Sequence, residues 1–113
     1  MLIYHNPACG TSRTVLGMIE DAGITVEIIE YLKTPPDRAQ LTKLLDMLGI
    51  SPRQILRKKG TTLETLGLEE AKMTDEQILD TLLEHPILME RPIVVKGERA
   101  AVCRPAEKVA PFL

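Results

Sequence analysis

The order in which the hydrophobic period changes along this 113-residue chain restricts its fold more than any other feature. Leu2-Ile3-Tyr4 is short, apolar and β-prone, and reads as a buried strand. Asn6-Pro7-Ala8-Cys9-Gly10 follows as a loop. From Thr11 onward the apolar positions Val15, Leu16, Met18 and Ile19 recur at helical spacing, with Gly23 suited to a left-handed stop. Thr25-Val26-Glu27-Ile28-Ile29-Glu30-Tyr31 then alternates and is rich in β-branched residues, which predicts a second strand. A cysteine therefore stands where the first strand feeds the first helix.

Thr34-Pro35-Pro36 breaks the chain, and a helical block begins. Leu41, Leu44, Leu45 and Leu48 share one helical face that Gly49 ends. Ser51-Pro52 looks like an N-cap followed by proline at the first helical position. The third helix predicted there carries Ile55 and Leu56, then Arg57-Lys58-Lys59, and stops at Gly60. Thr61-x-x-Glu64 and Thr74-x-x-Gln77 both fit the capping box, in which cap and third residue satisfy each other's backbone N–H groups. The second of these opens a helix through Ile78, Leu79, Leu82 and Leu83, closed by His85-Pro86. The period changes again at Pro92-Ile93-Val94-Val95, a strand. Lys96-Gly97-Glu98 is a turn, Arg99–Cys103 a second strand, and Arg104-Pro105 opens a short final helix through Val109. The order is βαβ, helical insert, ββα. It predicts an α/β, thioredoxin-like fold with a mixed four-stranded sheet: one domain over residues 1–113, with its helical insert at about 37–89.

Composition narrows the function classes. Aromatic residues are only 3%, so the core must be built from Leu, Ile, Val and Met. The net charge of −2 offers no bulk attraction to nucleic acid or to an anionic membrane, so an anion site has to come from locally placed arginines. No run approaches the ~18 apolar residues of a transmembrane helix. The N-terminus lacks the basic start and long apolar stretch of a signal peptide. Two distant cysteines, Cys9 and Cys103, do not make a secreted disulfide framework, and a reducing cytoplasm with free thiols is expected. The leucine stripes are accounted for by one core, so a monomer is expected.

Cys9 concentrates the chemistry. A thiol reacts as its thiolate, and a helix N-terminus favours that form through unpaired N–H groups and the helix dipole. The same N–H groups can hold an oxyanion. Gly10 allows close approach to the backbone, Thr11 and Ser12 add hydroxyls, and Arg13 brings positive charge to the same end. His5 and Asn6 lie just upstream. A free cysteine is commonly a small buried hydrophobe, but the neighbours of Cys9 are small and polar, which favours a reactive thiol. Two redox or phosphatase motifs fail. A C-x-x-C pair would need cysteine where Ser12 stands, and a C-x5-R loop would need arginine where Val15 stands. What remains is a monothiol with an anion-binding loop, and no convincing metal-ligand cluster accompanies it.

The stretch Ile3-Tyr4-His5-Asn6-Pro7-Ala8-Cys9-Gly10-Thr11-Ser12-Arg13 resembles the active-site loop of glutaredoxin-coupled arsenate reductases. Tyr31-Leu32-Lys33-Thr34-Pro35-Pro36, His85-Pro86-Ile87-Leu88, Arg91-Pro92-Ile93-Val94-Val95 and Cys103-Arg104-Pro105 match the same family in order, so the resemblance spans nearly the whole chain. Some relatives run longer at the C-terminus. The resemblance implies three anion-holding arginines, Arg57, Arg91 and Arg104, and a cis Arg91–Pro92 bond. Arg57 also reads as part of a solvated basic helix end. A planar guanidinium grips two oxygens of a tetrahedral oxyanion at once. The implied reaction is attack of the Cys9 thiolate on arsenate, then reaction with glutathione as co-substrate and with glutaredoxin, which releases arsenite. No bound cofactor is expected. His5 is expected to support the loop or the thiolate, and Cys103 to be buried and unreactive. Two alternatives stay open: a related thiol oxidoreductase acting on another oxyanion or a glutathione adduct, and a regulatory thiol protein that binds RNA polymerase. Ser12 and the arginine set argue against the second.

Overall fold

The computed structural model describes residues 1–57 and 66–113. The chain divides into two units: Met1–Pro35 together with Arg91–Leu113, and Pro36–Glu90.

The first unit is the sheet. β1 (Leu2–His5) lies between β2 (Glu27–Glu30) and β3 (Ile93–Lys96), and β4 (Arg99–Val102) closes the far edge, giving the order β2-β1-β3-β4. β1 pairs in parallel with β2, from Leu2↔Glu27 to His5↔Glu30. It pairs antiparallel with β3, which pairs antiparallel with β4. The mixed sheet is the one the βαβ…ββα order predicts. α1 (Gly10–Asp21) is the crossover between β1 and β2, since parallel neighbours need a long connection. Gly23 takes φ 74° just after it, and its N–H donates to Glu20 O at 2.9 Å.

β2 is shorter than the alternation over 25–31 predicts. Its partner β1 has only four residues, so the ladder has nothing to pair beyond Glu30. The chain turns there instead, with Lys33 N–H and Thr34 N–H both donating to Glu30 O at 2.9 Å. β3 and β4 are joined through Gly97-Glu98, with Gly97 at φ 63° as a two-residue hairpin turn requires. Cys103 follows β4, and its N–H donates to Pro92 O at 2.9 Å. The final segment is a 3₁₀ helix, Ala106–Phe112, and outlasts the predicted end at Val109. Its three-residue repeat places Val109 and Phe112 on one side, and both are buried. Lys96 Nζ donates to Phe112 O at 3.1 Å, and the Arg99 guanidinium lies 5.0 Å over the Phe112 ring. The core of this unit joins Ile3 and Val94 of the sheet to Val15 and Ile19 of α1, and to Cys103, Val109 and Phe112.

The second unit is helical. α2 (Arg38–Leu48) opens on a capping box not singled out in the sequence: Asp37 Oδ1 accepts from Gln40 N–H at 2.8 Å, and Gln40 Oε1 accepts from Asp37 N–H at 3.0 Å. Such a cap contributes about 1 kcal/mol. Gly49 ends the helix in the left-handed region, φ 67°. The capping box predicted at Thr74 is present and starts α4 (Asp75–Glu84), with Ile78, Leu79 and Leu82 buried. Arg53 ties α3 (Pro52–Ile55) to this helix. It donates to Glu70 O at 2.9 Å and Met73 O at 2.7 Å and faces the Asp75 carboxylate at 3.4 Å.

α3 is where the sequence reading needs correction. The helix predicted to run through Leu56 to Lys59 ends at Ile55. Leu56 is extended and bridges antiparallel to Met89. Arg57 N–H donates to Leu88 O at 2.6 Å, and Glu90 N–H donates to Ile55 O at 2.9 Å. This pairing buries Ile55, Leu56, Leu88 and Met89 together with their backbone bonds satisfied, which continuing the helix would forfeit. Arg57 thus follows an extended segment and is not a solvated helix end. Lys58, Lys59, Gly60 and the Thr61-x-x-Glu64 box lie outside the described residues.

Candidate active site

Asn6 shapes the loop that leaves β1. Its Oδ1 accepts from Ala8 N–H at 3.0 Å and its backbone O accepts from Cys9 N–H at 2.9 Å, the self-bonding turn to which asparagine is suited. Cys9 is thereby set as the N-cap of α1, with extended backbone (φ −92°, ψ 121°) and its O accepting from Arg13 N–H at 3.0 Å. No acidic residue occupies the first turn, so nothing there opposes a negative charge.

Ser12 and His5 brace the loop from inside. Both are buried, and Ser12 Oγ lies 2.6 Å from His5 Nδ1 in a hydrogen bond whose donor depends on the ring tautomer. Ser12 Oγ also accepts from Asn6 N–H at 3.1 Å. Burial pushes the His5 pKa down, Glu30 raises it and Arg13 lowers it, and the outcome lies below the ordinary histidine value. A neutral ring bonded to Ser12 supports the loop directly. Arg13 is exposed and donates from Nη1 to Pro7 O at 2.8 Å, which ties the first turn of α1 to the loop before it. A Cβ at Gly10 would meet only Arg13 Nη2, at 3.8 Å, so no neighbouring group requires glycine there. Thr11 is half-buried on the same turn.

Two of the three singled-out arginines converge on the thiol. Arg104 Nη1 lies 3.6 Å from Cys9 Sγ and also donates to Arg91 O at 3.2 Å. Burial pushes the Cys9 thiol up. The Ser12 backbone N–H and the guanidinium groups of Arg91 and Arg104 draw it down further, and the outcome lies below the ordinary thiol value. The Arg91–Pro92 bond is cis, as the resemblance implies, and Arg104–Pro105 is cis as well. Arg57 belongs to the helical unit. Its Nη1 is buried with no hydrogen-bond partner among the described residues, which is rare for so polar a group. Cys103 is fully buried, and burial pushes its thiol up to about 11. Among the described residues no three His, Cys, Asp or Glu side chains stand close enough to hold a metal ion.

The sequence reading missed the Arg13 clamp on Pro7 O and the anchoring role of Arg53. The Arg13 bond and two of the Arg53 bonds go to backbone carbonyls, which carry no residue-type signal.

The ArsC family model matches residues 4–112. The chain belongs to the ArsC family. It is 50% identical over 111 residues to an arsenate reductase of Rhizobium meliloti, covering 98% of this chain and 79% of that one. It is 52% identical to an Escherichia coli arsenate reductase over the same shares of the two chains. The solved structure of an arsenate reductase from Vibrio cholerae superposes with a TM-score of 0.90 at 38% identity, covering 99% of this chain and 96% of that one. The α/β, thioredoxin-like fold of the family is the fold described above. Among the described residues no helix is long and apolar enough to cross a membrane.

Proposed function

We propose that this protein reduces arsenate to arsenite, with Cys9 as nucleophile and with glutathione and a glutaredoxin supplying the electrons. The observation that carries the reading is the placement of the Arg104 guanidinium 3.6 Å from Cys9 Sγ at the start of α1, with Arg91 as a second cation on the same thiol. Like charge keeps an anionic nucleophile away from an anionic substrate, and two guanidinium groups beside the sulfur offset that repulsion for both partners. Arg57 is the third arginine of the proposal. It lies in the helical unit, and its place in the proposal rests on the family resemblance.

In the proposed sequence the Cys9 thiolate forms an S–As bond and one arsenate oxygen leaves as water, with arsenic still pentavalent. Glutathione forms a second S–As bond and a second oxygen leaves as water. The glutaredoxin thiolate then attacks the glutathione sulfur. The S–As electron pair passes to arsenic, reducing it to the trivalent state, and a mixed glutathione–glutaredoxin disulfide departs. Water releases arsenite and restores the Cys9 thiol. The protein supplies nucleophile activation and preorganised charge, with glutathione as co-substrate and no bound cofactor. Such free-thiol chemistry belongs in the cytoplasm, and the chain is proposed to act as a monomer.

The test is arsenite production from arsenate with glutathione and glutaredoxin, comparing wild type with Cys9→Ser. Turnover that disappears in the variant supports the reading. Turnover that survives overturns the nucleophile. No turnover in either protein, with an intact fold, overturns arsenate as substrate and favours another oxyanion.

A further inference from the structure

A shallow open groove is walled on one side by the first turn of α1 (Gly10, Thr11, Arg13, Thr14) and on the other by Pro105–Glu107, and neither Cys9 nor Arg104 lines it. Its two walls are the chain neighbours of the two groups that meet at the thiol: Gly10 follows Cys9, and Pro105 follows Arg104. Each wall carries one exposed charge of opposite sign. Arg13 has Nη1 committed to Pro7 O, while its Nη2 lies near Gly10. Glu107 is exposed, and among the described residues its side chain makes no ion pair or hydrogen bond. Neither charge belongs to the set proposed above for the oxyanion.

We infer that this groove binds the co-substrate thiol through the zwitterionic head of its γ-glutamyl residue, with the α-carboxylate on Arg13 and the α-ammonium on Glu107. An arginine and a carboxylate facing one groove suit a ligand end that carries both charges close together, which neither arsenate nor a simple thiol does. Arg13 is four residues beyond Cys9, one helical turn, so a head group held there leaves the cysteinyl sulfur of a tripeptide room to reach the Cys9 side. The hydroxyl of Thr11 and the open backbone at Gly10 offer polar contacts between the two ends. This inference rests on the proposed use of glutathione, and it assigns the place and the recognition chemistry that the reading leaves open. It adds no chemical step to the sequence above.

The experiment has two arms. In the first, unreactive S-methylglutathione is titrated into the isotope-labelled protein. Amide shifts concentrated at Gly10, Thr11, Ala106 and Glu107 are expected, weakened in Glu107→Gln. Shifts elsewhere, or none, overturn the groove whatever the activity. In the second, KM for glutathione is measured at saturating arsenate and glutaredoxin. Glu107→Gln is expected to raise it roughly fivefold, the scale of an exposed ionic contact, with KM for arsenate unchanged. Glutaryl-cysteinyl-glycine, which lacks the ammonium, is expected to show a raised KM in the wild type that Glu107→Gln does not raise further. An unchanged KM for glutathione, or an equal rise with the deaminated thiol, overturns the assignment. If the wild type makes no arsenite while the S-methylglutathione shifts remain, the arsenate reading fails and the groove stands.

Discussion

The two cysteines of the sheet unit have opposite fates. Cys103 is the chain neighbour of Arg104, yet it is sealed in the core and its thiol is pushed up to about 11. Cys9 is 95 residues away in sequence, yet the Arg104 guanidinium reaches its sulfur and its thiol is drawn down. Thiol reactivity here follows where the charge and the backbone N–H groups point in space, not which residues adjoin in the chain. A side chain at the end of β4 turns away from its own cysteine toward the end of β1, because β3 joins the two strands across the sheet.

The largest expected effect is selective alkylation. With iodoacetamide at pH 7, followed by peptide mass spectrometry, Cys9 should react at least about a hundredfold faster than Cys103, as an activated, partly exposed thiol does beside a buried one. Comparable rates would erase the contrast. Next, Arg104→Ala should slow Cys9 alkylation at that pH by about tenfold, the scale of a charge-assisted hydrogen bond, with Arg104→Lys recovering part of the loss. An unchanged rate in the alanine variant would mean that the geometry at 3.6 Å does not activate the thiol.

Ser12→Ala should cost about 1–3 kcal/mol in a thermal or urea melt. It removes the bond to His5 and leaves the buried Asn6 N–H without an acceptor. The smallest effect is in the pH dependence of stability. The folded state holds His5 below its ordinary pKa of 6.5, so the unfolded chain binds more protons in that range. The contribution is therefore present above about pH 6.5 and is lost as pH falls toward the folded pKa. His5→Gln should flatten that decline, measured as the midpoint of urea unfolding between pH 7.5 and 5. An identical slope in the variant would transfer the acid sensitivity to another group.

Much of this was legible in the chain. The loop Asn6–Gly10, the N-cap placement of Cys9 and the caps at Gly49 and Thr74 are written in spacing and in residues of restricted backbone geometry, and the structure has them. The mixed sheet followed from the order of periods. The errors fall where distant segments compete with local preference. Ile55-Leu56 reads as helix until Leu88 and Met89 are there to pair with it. Tyr31 reads as strand until a four-residue β1 that ends opposite Glu30 leaves it no partner.

By itself the sequence determined the order of elements, the cysteine at a strand-to-helix junction and the kind of chemistry such a junction supports. Periodicity, capping and turn propensity are interactions within a few residues, and they survive without the rest of the chain. Only the tertiary structure decided which thiol the Arg104 guanidinium serves, that the third helix ends at Ile55 before reaching Arg57, and that Arg13 and Glu107 face one groove. Those outcomes depend on pairings between residues tens of positions apart, whose closure is set by burial across the whole unit and leaves no local trace.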